Sequence, residues 1–435
     1  MAKKDNNSRK SPPPEQRVSA SIDELLTAAN ERGDDSLATG RFIVTFKENT
    51  VEEGVKSLGA QGMRIASARD FDNQRVVLES VGDADAVVLP EVGAAIVSAS
   101  ALFQRGLGAQ AEIAADSPIE TIEPEYFVFA NPADSTDYLR GFVRAAEAIA
   151  RDLRSPQQEE LEPDMDPAVV GATWGLIRCK VPPSVRSGAG IRVAVLDTGF
   201  DLGHPDFVGR PIVSQTFVGQ PVQDLHGHGT HCIGTSCGPK SPAGTTPRYG
   251  IAYKAPIFVG KVLSNSGSGA TGSVLAGMNW AIANQCAVIS MSLGSQSPVQ
   301  TAYTNAGAAA LSRGCLIIAA AGNAGAATGA PGNSPTIMSV ASLDPNDAPS
   351  SFSNFGKIEI AAPGRDIFSS VPRPARYGTM SGTSMATPHV AGCAALWAET
   401  SPALRGTNLW KKLQATARAL PFPTSRVGKG LVQAP

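Results

Sequence analysis

Four residues stand where chemistry is easiest to place. Asp197 closes the apolar run Ile191–Leu196, in the string VLDTG. His228 lies in Gly227-His228-Gly229-Thr230-His231, and Ser384 lies in Gly382-Thr383-Ser384-Met385-Ala386-Thr387-Pro388-His389. Asn323 follows Gly322 at the end of another apolar run. An acid, an imidazole and a hydroxyl are the parts of nucleophilic catalysis, because a serine hydroxyl is a weak nucleophile that needs an adjacent base. The stretch after Ser384 is rich in Ala and Gly and reads as a helix starting near Ser384, with Pro388 tolerated in its first turn. A serine at a helix N-terminus faces unpaired N–H groups and a positive dipole end, which suits a developing oxyanion. Taken singly, Asp197 is explained as an Asx-turn residue, Asn323 as a turn former and Ser384 as a helix cap.

The elements around these residues explain them jointly. From Trp174 onward, short runs rich in Val and Ile (Ile191–Leu196, Ile257–Leu263, Ala287–Leu293, Cys315–Ala321, Ile337–Ala341) alternate with helical stretches such as Thr271–Gln285 and Val299–Ser312. Continuous apolar strands between helices imply a mostly parallel sheet covered on both faces, a three-layer α/β domain over 169–435. Sites in such sheets gather at the carboxyl ends of the strands, where Asp197, Ser292-Leu293-Gly294 and Gly322-Asn323 fall. Upstream, Arg41–Phe46, Met63–Ser67, Arg75–Leu78 and Thr121–Ala130 read as strands and Val51–Leu58 as a helix, giving a small α+β domain over 39–131. Residues 1–38 read as a disordered arm with one short helix over Ile22–Asn30, and 132–168 as a charged linker with a helix over Leu139–Leu153.

The strings VLDTGFDLGHPD, HGHGTHCIG, AAAGN and GTSMATPHVAG are similar to the four sequence boxes of the subtilases. The order Asp, His, Ser matches that family, whereas α/β-hydrolases run Ser, acid, His. The likeness extends from Trp174 to a closing strand over Val427–Val432. It implies a serine endopeptidase of peptidase family S8, with Asp197, His228 and Ser384 as the triad and Asn323 in the oxyanion hole. It also implies an extended-strand substrate dock. Gly267, Ser268 and Gly269 would form one edge and Ser292, Leu293 and Gly294 the other, with Ala320, Ala321 and Gly322 bordering the specificity pocket. That border is small and uncharged, so bulky apolar residues are expected before the scissile bond.

The same resemblance places Cys232 beside His228, as in proteinase-K-like subtilases. Asp206 matches a family calcium ligand, but the segment Thr235–Tyr249 lacks the usual Asn-containing loop, so no metal or other cofactor is expected. His204 and Asp206 are expected to fix a loop, His231 and His389 to hydrogen-bond beside the site, and His226 to face solvent. The amino-terminal domain resembles the I9-type inhibitory propeptide, chiefly in Arg41–Phe46 and Ile122-Glu123-Pro124, although Val81–Ala115 is longer than usual. A self-inhibited zymogen follows from that likeness, with a permanent accessory domain as the alternative.

Composition narrows the partners. A net charge of -2 gives no electrostatic reason to expect nucleic acid. No C-x-x-C pair occurs among the six cysteines, which argues against structural zinc. The charged, Pro-rich start is not followed by about 7–15 apolar residues of the kind a secretory signal carries. The expectations are therefore a cytoplasmic monomer acting on peptide, with no membrane partner. A peptide transamidase using the same acyl-enzyme and an inert binding module are the competing functions.

Overall fold

The structure is a computed structural model that describes residues 17–33, 36–104, 116–130 and 171–435. The linker helix expected over Leu139–Leu153 lies outside these residues.

Among the described residues, thirteen strands build two sheets. The first five are β1 Ala38–Phe46, β2 Ile65–Ser67, β3 Ala86–Leu89, β4 Ala94–Val97 and β5 Ile119–Phe129. The next four are β6 Val193–Asp197, β7 Ile212–Thr216, β8 Ile257–Lys261 and β9 Ser268–Ala270. Then come β10 Val288–Met291, β11 Leu316–Ala320, β12 Met338–Leu343 and β13 Ile360–Pro363. The larger sheet has the order β13-β12-β11-β10-β6-β8-β7, and every pairing in it is parallel. Along β6 the side chains alternate between two cores. Val193 and Val195 pack with the helix Thr383–Thr400, while Ala194 and Leu196 pack with the helices Thr271–Ala283 and Thr301–Ser312. Strands buried on both faces have no polar side to alternate with, which is why they read as continuous apolar runs.

The smaller sheet, β2-β3-β4-β1-β5-β9, crosses from one part of the chain to the other. Its last member, β9, belongs to the catalytic part and pairs antiparallel with β5. The α/β architecture with a parallel sheet is thus present, with four departures from expectation along the chain. Arg75–Leu78 is not a strand; Val76 and Leu78 are buried, but the backbone finds no ladder. The pairing is supplied instead by β3 and β4, an antiparallel pair inside the segment that looked like an insertion. Val427–Val432 makes single bridges through Leu431 rather than a strand. Within the stretch expected to be a disordered arm, Ile22–Arg32 is an ordered helix with a buried apolar face.

Two carboxylates of β5 join the parts. Glu123 accepts from Thr301 N at 3.0 Å and from Thr301 Oγ1 at 2.7 Å, at the start of the helix Thr301–Ser312. Glu125 accepts from Gly272 N at 2.9 Å, at the start of the helix Thr271–Ala283. Helix N-termini present unpaired N–H groups and favour negative charge, so each carboxylate fills a vacancy its partner helix leaves open. Glu125 is fully buried, and Arg41 balances it through contacts of 2.6 and 3.0 Å.

Candidate active site

The ends of parallel strands bring the expected residues together. Asp197 is the last residue of β6, and His228 opens the helix His228–Cys237. Asp197 Oδ1 accepts from His228 Nδ1 at 2.7 Å, with both side chains buried. That bond engages Nδ1, and the other ring nitrogen, Nε2, has no hydrogen-bond partner among the described residues. Burial opposes charge on His228, but the charge and hydrogen bond of Asp197 prevail and hold its pKa well above the ordinary imidazole value. Helix and strand end touch closely here: a Cβ on Gly229 would lie 2.3 Å from the carbonyl oxygen of Gly199.

Ser384 sits in the first turn of the helix Thr383–Thr400. Pro388 lies inside that helix rather than in its first turn, and lacking an N–H it cannot bond to the carbonyl four residues back. That carbonyl belongs to Ser384. Ser292 Oγ donates to it at 2.7 Å and Cys232 Sγ lies 3.6 Å from it, so the gap in the ladder is filled from two other elements. Ser384 Oγ donates to the carbonyl oxygens of Ala130, at 3.1 Å, and Ser292, at 3.3 Å. Asn323 Oδ1 accepts from Thr383 N at 2.8 Å and Thr383 Oγ1 at 2.9 Å, which fixes the amide and leaves Nδ2 as its donor end.

The cleft edges carry the chain's own strand. Val128 and Phe129 pair with Gly269 and Ser268, Phe129 also bridges to Gly294, and Ala130 N donates to Gly267 O at 2.9 Å. Leu293, Gly294, Ala320, Ala321 and Gly322 line one pocket together with Ser384. Ser292 faces Ser384 itself.

Other residues have quieter surroundings. His231 Nε2 donates to Ile367 O and His389 Nδ1 to Met385 O, both at 2.8 Å. Burial lowers their pKa values to about 3 and about 4. His226 is exposed, with its ring 6.1 Å from that of His228. Cys232 Sγ is 3.9 Å from His228 Nδ1, and burial pushes its thiol pKa up. Asp197, His228 and Cys232 place ligand atoms within 4.8 Å of one another, but the carboxylate and imidazole already face each other. Asp206 does not fit a calcium ion, because the hydroxyls of Tyr249, at 2.6 Å, and Tyr377, at 3.0 Å, donate to its carboxylate. All six cysteines are free and buried.

Sequence reasoning missed Asp224. It is fully buried and accepts from Thr198 Oγ1, His226 N, Gly227 N, Thr230 N and Thr230 Oγ1 at 2.7–3.0 Å. Thr198 follows Asp197 and its Oγ1 accepts from Gly229 N at 2.9 Å, so one carboxylate ties the end of β6 to the start of the His228 helix. Burial opposes its charge, yet the bonds from Gly227 and Thr230 hold its carboxyl below the usual range. The fully buried Lys261 lies behind it, its ammonium donating to Thr198 O and to Asn265 Oδ1, and burial lowers its pKa to about 8.

The subtilase family profile matches residues 188–430. Subtilisin Savinase of Lederbergia lenta is 40% identical over 268 residues, covering 60% of this chain and 96% of the relative. Thermitase of Thermoactinomyces vulgaris is 37% identical, covering 62% and 96%. A crystal structure of a cold adapted subtilisin-like serine proteinase aligns with a TM-score of 0.54 at 34% identity, over 61% of this chain and 98% of that one. Savinase, the alkaline proteases, the subtilisins and thermitase are secreted extracellular enzymes, which overturns the cytoplasmic expectation. No helix among the described residues is long and apolar enough to cross a membrane. With the family profile covering more than half of its length, this chain belongs to the subtilase family and is a subtilisin-like serine endopeptidase.

Proposed function

We propose that Asp197, His228 and Ser384 form the catalytic triad, and that residues 39–131 are an inhibitory propeptide-like domain holding the enzyme as a zymogen. The hydrogen bond from Ser384 Oγ to Ala130 O carries this reading, because it sets a backbone carbonyl of the chain itself against the nucleophile. Support comes from the strand Phe127–Ala130, which pairs with both cleft edges as an extended substrate does.

In an open site, Ser384 Oγ attacks the scissile carbonyl as its proton passes to His228 Nε2. Asp197 keeps the Nδ1–H tautomer and stabilises the imidazolium. The oxyanion is held by Asn323 Nδ2 and the Ser384 N–H, at a helix start where the dipole favours negative charge. His228 then returns the proton to the leaving amine, and water resolves the acyl-enzyme by the same route. The lining of small, neutral residues favours an apolar side chain before the scissile bond.

The test is intact mass over time for wild type and Ser384→Ala. Wild type should lose mass by cleavage between Ala130 and Trp174, while Ser384→Ala stays whole. Equal cleavage in both would remove Ser384 from the mechanism. A stable, uncleaved and inactive wild type would favour a permanent accessory domain.

A further inference from the structure

Side chains of an extended strand alternate between two faces. On the strand that fills the cleft, Val128 and Ala130 face the enzyme and pack with Leu263, Leu293 and Ala330. Phe127 and Phe129 point the other way. On a bound peptide such side chains face water, yet here they are 0% and 1% exposed. What covers them is the segment before the small domain: Ala20, Ile22, Leu25, Leu26 and Ala29 cluster with both rings and with Val218 and Ala270 of the catalytic part.

We propose that the helix Ile22–Arg32 is an autoinhibitory strap, which clamps the strand Phe127–Ala130 into the cleft and whose displacement opens the active site. This inference rests on the zymogen reading and names the element that regulates it. The helix is built to hold its place. Ser21 and Glu24 form a capping box at its start, and Gly33, with φ 63°, stops it. Arg32 Nη2 donates to Ala38 O at 3.0 Å, tying its last turn to β1.

A buried polar relay links the strap to the cleft. Arg41 Nη1 donates to Val18 O at 2.7 Å, just before the helix. The same guanidinium grips Glu125, and Glu125 accepts from Gly272 N immediately beyond β9. The strap touches the inhibitory strand and the enzyme together through Phe127, Phe129, Val218 and Ala270, so its loss weakens the strand's seat on both sides.

The experiment uses the full chain and the rate at which a fluorophosphonate probe labels Ser384. Leu25→Asp with Leu26→Asp puts two charges against the phenyl rings. It should speed labelling on the order of 100-fold, since burial of two large apolar side chains is lost. Hydrogen exchange should show residues 22–32 opening while β1 stays protected. Should the double variant fail to fold, Ser21→Ala removes only the cap and should speed labelling by about tenfold or less. Val128→Asp unseats the strand itself and serves as the reference. Fast labelling in Val128→Asp with wild-type rates in the strap variants, despite an exposed helix, overturns the strap alone. Wild-type rates in Val128→Asp overturn the zymogen reading beneath it.

Discussion

Ser384 Oγ and Ala130 O are 3.1 Å apart across 254 residues of sequence. The nucleophile thus spends its hydroxyl proton on its own chain, and His228 Nε2 is left without a described partner. Fresh, uncut protein of 44.9 kDa should therefore react with a fluorophosphonate at least about 100-fold more slowly than processed protein. Labelling followed by intact mass checks this, species by species.

The pH profile should follow His228. Only the neutral imidazole accepts the serine proton, and Asp197 raises the His228 pKa. The acid limb of Ser384 labelling should therefore lie above the ordinary imidazole range. Asp197→Asn removes the charge that raises the pKa, so the limb should move to lower pH while the plateau falls about 10⁴-fold. An unmoved limb would show that another group governs it.

If Asn323 is the oxyanion donor proposed above, Asn323→Ala should lower kcat by about 10²–10³ with little change in KM, the range for loss of such a donor in subtilisin. Asn323→Asp keeps an acceptor for Thr383 but replaces the donor with a negative charge, so it should be no better than alanine. Steady-state kinetics on an apolar peptide anilide separates the two parameters.

Asp224 offers a test of positioning. Replacing it with Ala strands several buried donors, at about 1–3 kcal/mol for each unsatisfied group, so thermal stability should fall by several degrees or more. Asp224→Asn keeps one acceptor oxygen and should fold better while losing about 10- to 100-fold in kcat through a misplaced imidazole. A loss confined to stability would make Asp224 a purely structural residue.

The parts legible in the sequence are those whose constraints are local. Strands such as Val193–Asp197 are apolar throughout because both faces are covered, and Gly229 is required where two backbones nearly touch. Asp224 was not legible: its donors are mostly backbone N–H groups, which leave no side-chain pattern. The pair β3 and β4 was hidden inside a segment that family likeness marked as surplus. Pro388 could be placed near a helix start from sequence, but not at the point where Ser292 and Cys232 answer its missing bond. The strap helix is periodic enough to be seen, yet its target lies about a hundred residues away, in Phe127 and Phe129.

Strand β5 is at once a member of the small sheet and the neighbour of β9. While the chain is whole, that shared strand and its seat belong to one molecule, and their contact does not depend on protein concentration. After a cut past Ala130 the same contacts must hold between two separate chains. Dilution then becomes an activating signal, and a dense population of the enzyme would restrain itself where a sparse one would not.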